Sequence, residues 1–169
     1  VCETSRNECE NIFRRLDVSV NERGESTYEV YVESMISSLR DANMLETLEN
    51  GALQVRWAAE NDDDDNDDDM VNERKAMVIR RSDGTSLYST IDLTAIQERL
   101  QQGGHDRIIY VTDHSQSSHF ESVFRVASEM NWCRNTTSME HCACGLVKGE
   151  DNRKLSSRRG DAPSLGMLL

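Results

Sequence analysis

The sequence lacks any long apolar stretch, since its longest apolar runs are a few residues, such as IIYV at 108–111. A membrane-spanning helix needs about 20 consecutive apolar residues, so none is predicted. The amino terminus, Val-Cys-Glu-Thr, lacks the basic and apolar regions of a secretory signal peptide. It also lacks an initiator methionine, and we expect a processed chain or a piece of a longer one.

A disulfide framework is also missing, because the five cysteines are odd in number and unrelated in spacing. This pattern favours a reducing compartment, so we expect a cytoplasmic protein, with an organelle as the alternative. His141-Cys142-x-Cys144 resembles part of a metal cluster, but a second cysteine-rich arm is absent. Alternate positions in a strand explain the spacing equally well, and we predict no metal site.

Positive charge is scarce, with 19 basic against 31 acidic residues and a formal net charge of -12. Seven aspartates lie in NDDDDNDDD at 61–69, so removing that run would bring the net charge from -12 to -5. Such a run predicts a solvated, disordered loop. A bound cation is the alternative, although a calcium loop needs glycine and spaced ligands.

Helical periodicity precedes the acidic run, with apolar faces at Cys9 to Leu16 and at Tyr28 to Leu39. Each stretch opens with a predicted capping box, Ser5-x-x-Glu8 and Ser26-x-x-Glu29. Residues 51–58 predict a short strand that enters the acidic loop.

After the acidic run the pattern alternates between strands and helices. Strands are predicted at 75–81, 107–113 and 138–147. A helix is predicted in each interval between them. The first helix ends at Gly103-Gly104, and the second starts from the capping box Ser118-x-x-Glu121. Strand, helix, strand, helix, strand predicts parallel pairing in an open α/β sheet. Ligands of such sheets bind beyond the carboxyl ends of the strands.

Three polar clusters fall at those carboxyl ends. The first cluster places Tyr88 and Asp92 four residues apart at the start of a helix, where both side chains could bind a cationic substrate. The alternative is a capped helix in which Tyr88 packs on the sheet and Asp92 faces the positive helix end. The second cluster, Asp113 to His119, predicts a polar binding turn in which Gln116 hydrogen-bonds to a substrate amine or carboxylate. A zinc site is the less favoured alternative.

The third cluster is GEDNRKLSSRRGD at 149–161, a cationic, hydroxyl-rich loop in an acidic chain. Its side chains suit a phosphate-bearing small molecule, whereas the field of an acidic chain would repel long nucleic acid. It is not a P-loop, because GxxxxGK[ST] occurs nowhere in the sequence. A flexible basic surface loop is the alternative interpretation.

Taken in order, five stretches resemble the catalytic domain of arginyl-tRNA synthetase, a class I aminoacyl-tRNA synthetase. They are NIFRRLDV with NERGESTY, RRSDGTSLYSTIDLTAIQERL, DRIIYVTDHSQSSHFESVF, MEHCACGLV and GEDNRKLSSRRGD. The resemblance implies a Rossmann-type parallel sheet with a helical segment on its amino-terminal side. It also implies a reaction in which arginine and ATP, with Mg²⁺, give arginyl-adenylate before the arginyl group passes to tRNA(Arg).

The resemblance assigns roles to individual residues. Tyr88, Asp92 and Gln116 match the family positions that contact arginine. The strand MEHCACGLV resembles the segment bordering the adenine of ATP, which implies ATP-binding roles for His141, Gly145 and Val147. KLSSR resembles the Lys-Met-Ser-Lys-Ser signature loop, which stabilises charge on the transferring phosphate. The catalytic residues implied there are Lys154, Ser156, Ser157 and Arg158, where Ser157 replaces the usual second lysine and Arg158 the final serine.

The other class I signature, His-x-Gly-His, does not occur in this sequence. We therefore expect residues 1–60 to be a helical connective part, 61–74 the acidic loop, and 75–169 the second half of the catalytic domain. The isolated chain is expected to be inactive. The alternative is a truncated, non-catalytic paralogue that acts as a binding module.

Overall fold

A computed structural model describes residues 2–58, 74–134, 136–145 and 165–168 of the chain. The acidic loop predicted for 61–74 lies outside these residues except for Arg74, and the cationic loop at 149–161 lies wholly outside them. The helices are α1 (Cys2–Arg15), α2 (Val32–Asp41), α3 (Tyr88–Gln101), α4 (Ser117–Glu129) and α5 (Leu165–Leu168). The strands are β1 (Leu45–Thr47), β2 (Leu53–Ala58), β3 (Arg74–Arg80), β4 (Arg107–Asp113) and β5 (Ser138–Cys144).

The hydrophobic core lies in the compact unit formed by residues 24–144. It combines the buried face of α2 with residues of β2, β3, β4, α3 and α4. The four predicted apolar residues of α2, Val32, Met35, Ile36 and Leu39, are all buried. Other fully buried side chains in this core are Val55, Ile79, Leu93, Ile96, Val123 and Val126.

The second compact unit comprises the described parts of 1–23 and 145–169. Its helix α1 confirms the helical pattern predicted around residues 9–16, and Ile12 and Phe13 are partly buried on its apolar face. An Arg15 guanidinium nitrogen donates to the carbonyl oxygen of Gly166 in α5 at 3.1 Å.

The parallel pairing of β4 with β5 confirms the α/β class. Asp113 lies opposite Cys144 at one end of the pair and Arg107 opposite Ser138 at the other, and α4 forms the crossover that parallel strands require. Along β4, Ile108 is buried whereas Ile109 and Val111 are 48% and 67% exposed.

The prediction that the strand at 75–81 joins this parallel sheet is wrong. That strand, β3, pairs antiparallel with β2, which pairs antiparallel with β1, in a separate three-stranded sheet. Ala58 and Arg74 are paired across β2 and β3, so the acidic run falls within the connection of a hairpin. A connection this long hides the hairpin from a sequence-based interpretation, since most hairpin loops have two to five residues.

The three predicted capping boxes are also wrong. Ser5 lies inside α1, which begins at Cys2, and Ser118 is the second residue of α4. Ser26 lies in a 3₁₀ turn, Glu25–Thr27, which a further turn, Glu29–Tyr31, separates from α2. The serine-to-glutamate spacing therefore marks the neighbourhood of each helix start but not its first residue.

Candidate functional site

The first turn of α3 is fixed to the end of β3 by hydroxyl groups. The Ser89 hydroxyl donates to the carbonyl oxygen of Val78 at 2.8 Å, and the buried Thr90 hydroxyl donates to that of Ile79. The Thr90 oxygen also accepts from the backbone N–H of Leu87 at 2.9 Å, which caps the helix. These contacts determine where the helix presents Tyr88 and Asp92.

A tight turn leads into this helix, as the sequence Ser82-Asp83-Gly84 predicts. Gly84 has a φ of +84°, which glycine adopts without steric cost. Asp83 accepts a hydrogen bond from the backbone N–H of Thr85 at 2.9 Å, and this bond lowers the pKa of Asp83 below its ordinary value of 3.8. The carboxylate is thus stabilised in its charged form and holds the turn.

Asp92 and His119 bring two of the predicted clusters together. The Nε2 atom of His119 lies 2.7 Å from Oδ2 of Asp92. The His119 side chain is 11% exposed and the Asp92 side chain 30%. The carboxylate is therefore the more accessible member of the pair.

Tyr88 completes this group from the start of α3. Its ring meets the His119 ring edge to face, with centroids 4.8 Å apart and an interplanar angle of 61°. Tyr88 is 68% exposed, so it does not pack beneath the sheet as the capped-helix alternative requires. Its phenol and the Asp92 carboxylate are both accessible on the same part of the surface.

Gln116 lies one turn before His119, at the N-cap of α4, and is exposed. Its side chain makes no hydrogen bond to the described part of the chain. Asp113 ends β4 and accepts from the backbone N–H of Ser115 at 2.9 Å, which stabilises the 3₁₀ turn His114–Gln116. This turn leads directly into α4, the helix from which His119 contacts Asp92.

An aromatic contact connects this group to the strand predicted to border ATP. Phe120 is buried between the rings of His119 and His141, with both centroid distances 5.1 Å. The Nε2 atom of His141 lies 2.7 Å from Oγ1 of Thr112 on the neighbouring strand. The His141 ring is therefore held by contacts inside the fold.

The remaining predicted site residues fall into two groups. Gly145 follows β5 directly and is exposed. Val147, Lys154, Ser156, Ser157 and Arg158 lie outside the described residues.

The Tyr110 ring packs against the Phe120 ring, with ring centroids 4.6 Å apart. Burial raises the pKa of Tyr110, while the nearby Arg99 guanidinium opposes that shift. Arg99 donates to the hydroxyl oxygens of Tyr110 at 2.9 Å and Tyr28 at 3.1 Å. Burial lowers the pKa of Arg99, but the two tyrosines outweigh it and the pKa is raised, so the cation persists in the protein.

Sequence interpretation proposed Tyr88, Asp92 and Gln116 as site residues but did not predict the pairing of His119 with Asp92. It placed this histidine in a polar turn, with zinc as an alternative. Among the described residues, no three histidine, cysteine, aspartate or glutamate side chains are grouped as a metal site requires. None of the described helices is long and apolar enough to cross a membrane.

Comparison with known proteins identifies the family of this chain. The family model for the catalytic domain of class I (R) tRNA synthetases matches residues 1–169. Arginine--tRNA ligase from Prochlorococcus marinus (strain MIT 9211) is 43% identical and covers 100% of this chain and 27% of its own length. The ligase from Crocosphaera subtropica (strain ATCC 51142 / BH68) is 40% identical, and the match covers 100% of this chain and 28% of that protein.

A solved structure gives the same result. Arginyl-tRNA synthetase from Plasmodium falciparum matches with a TM-score of 0.71 and 25% identity, over 86% of this chain and 23% of that protein. The chain spans just over a quarter of the length of the curated relatives it matches. With the family model matching throughout, the chain belongs to the family of class I (R) tRNA synthetase catalytic domains.

Proposed function

We propose that the protein carrying this chain attaches arginine to tRNA(Arg) in an ATP-dependent reaction through arginyl-adenylate. The observation that carries the proposal is the Asp92 carboxylate, which is partly exposed beside Tyr88 in a chain of the class I (R) family. The non-catalytic alternative has no support from the relatives, which are named as ligases.

Asp92 supplies the chemistry that arginine requires. A carboxylate pairs with the two parallel N–H groups of a guanidinium, whereas a lysine ammonium lacks that planar fork. Tyr88 presents its phenol beside the carboxylate, and Gln116 offers both a donor and an acceptor from the start of α4. Together they would bind and orient the substrate side chain.

The ATP side of the reaction rests on the family resemblance. We infer that His141, Gly145 and Val147 border the adenine, and that Lys154, Ser156, Ser157 and Arg158 stabilise charge on the transferring phosphate. Mg²⁺ would enter with the phosphates of ATP as part of the substrate. The cysteine pattern supports a reducing compartment, and we infer the cytoplasm, with an organelle as the alternative.

The proposal is tested by replacing Asp92→Asn in the complete protein and measuring tRNA-dependent exchange of pyrophosphate into ATP. Truncating one partner of a hydrogen-bonded charge pair costs about 2–5 kcal/mol, so the KM for arginine should rise about 30-fold or more. Asp106→Asn, at an exposed aspartate before β4, is the matched control and should leave the KM unchanged. An unaltered KM in the Asp92 variant would refute the assigned role.

A further inference from the structure

The His119 ring is held from several sides. Its Nε2 atom contacts the Asp92 carboxylate at 2.7 Å, and its faces and edges meet the rings of Tyr88 at 4.8 Å and Phe120 at 5.1 Å. The side chain is only 11% exposed. Such packing leaves the ring little freedom to rotate away from Asp92.

The contact also assigns a hydrogen to Nε2, because an ionised carboxylate oxygen can only accept. His119 is therefore a donor to Asp92, whether its ring is neutral or protonated. A neutral ring leaves the pair with one negative charge, which complements the single positive charge of a guanidinium.

The hydrogen bond does not block the substrate. A carboxylate has about four acceptor positions on its two oxygens, and His119 uses one of them on Oδ2. Among the described residues no other hydrogen bond to the Asp92 carboxylate is made, so Oδ1 and the second position on Oδ2 are available there for a two-pronged contact. Asp92, whose side chain is 30% exposed, is accessible for that purpose.

We propose that His119 is a positioning residue, which holds the Asp92 carboxylate in the orientation that receives the guanidinium of arginine. An aspartate carboxyl group otherwise rotates broadly about its terminal torsion, and fixing it on binding costs affinity. The proposal rests on the proposed function, and it adds a residue from α4 to a site whose carboxylate comes from α3.

Two substitutions in the complete protein separate this role from packing. His119→Phe keeps an aromatic ring beside Tyr88 and Phe120 but removes the donor, whereas His119→Gln retains an N–H at a comparable reach. Loss of a hydrogen bond to a charged group should raise the KM for arginine about 10-fold in His119→Phe. The KM for ATP should change less than about 2-fold, and His119→Gln should recover most of the loss.

The control is His105→Phe, which replaces an exposed histidine outside the site and should leave both KM values unchanged. An unchanged arginine KM in His119→Phe, or equal increases for arginine and ATP, would overturn the positioning role. So would a thermally stable His119→Gln variant as impaired as His119→Phe. A wild-type protein without arginine-dependent exchange would overturn the proposed function as well. If Asp92→Asn raises the KM for arginine but His119→Phe does not, only the positioning role is overturned.

Discussion

At the residue scale, the Thr90 hydroxyl is a polar group placed fully inside the core. It donates to the Ile79 carbonyl and accepts from the Leu87 N–H, so both of its functions are satisfied. A side chain of the same shape without the hydroxyl leaves these two backbone groups without that partner, in a region closed to water.

We therefore expect Thr90→Val to lower the free energy of unfolding by about 1–3 kcal/mol, as measured by urea denaturation. Thr90→Ser is the matched control, because it keeps the hydroxyl and loses one methyl group, at a cost of about 1 kcal/mol. A valine variant more stable than the serine variant would contradict this account.

The same scale shows what the sequence predicts about the site. Tyr88 and Asp92 are predictable because they lie four residues apart on one helix, a spacing that sets both on one face. His119 is not, because its partner is 27 residues away on another helix. Only the packing of α3 against α4 brings that pair together, and a single sequence carries no direct signal of it.

At the element scale, an ion pair connects α2 to β3. A guanidinium nitrogen of Arg80 lies 2.5 Å from Oε1 of Glu33, and the two side chains are 19% and 77% exposed. The hydrogen bond from Arg80 lowers the pKa of Glu33 below its ordinary value of 4.5, although burial acts in the opposite direction. A depressed carboxyl pKa stabilises the fold above that ordinary value, and the stabilisation is lost as the pH falls through the folded-state pKa.

Glu33→Gln should therefore lower the free energy of unfolding at pH 7, and this effect should shrink as the pH falls below 4.5 and through the folded-state pKa of Glu33. Because Glu33 is largely exposed, we expect less than about 1 kcal/mol. Glu29→Gln, in the preceding turn, removes a carboxylate for which the described residues provide no ion pair, and serves as control. Urea denaturation across pH 3–7 measures both; an equal loss at pH 3 and pH 7 would argue against the ion pair.

The elements themselves are predictable to a large extent, but their pairing is not. The periodicity gives α3, α4, β4 and β5 within a few residues, since apolar spacing differs between helix and strand. The pairing of β3 with β2 joins strands that are separated in the sequence by residues 59–73. The third strand of that sheet, β1, has only three residues. Neither feature leaves a periodic signal.

At the scale of the whole molecule, the pairing of Ala58 with Arg74 predicts that the acidic run is dispensable for folding. Deleting residues 61–69 removes nine of the 15 residues between these partners and leaves six, enough for a hairpin loop. The change in loop-closure entropy is about 1 kcal/mol, in favour of the shorter loop.

We expect the deletion variant of the complete protein to keep its melting temperature within about 5 °C and its arginine KM within about 2-fold. The formal net charge of the chain would change from -12 to -5. Removing seven negative charges should strengthen tRNA binding, because the phosphate backbone is negative. Loss of charging activity on deletion would refute the prediction.

The outward face of β4 has a practical consequence for handling the 169-residue chain. Parallel sheets are normally covered on both faces, yet Ile109 and Val111 are exposed on the face opposite Ile108. Exposed apolar side chains on a short parallel pair favour self-association at the concentrations used for calorimetry and crystallisation. Light scattering over a dilution series should therefore precede any measurement on the isolated chain.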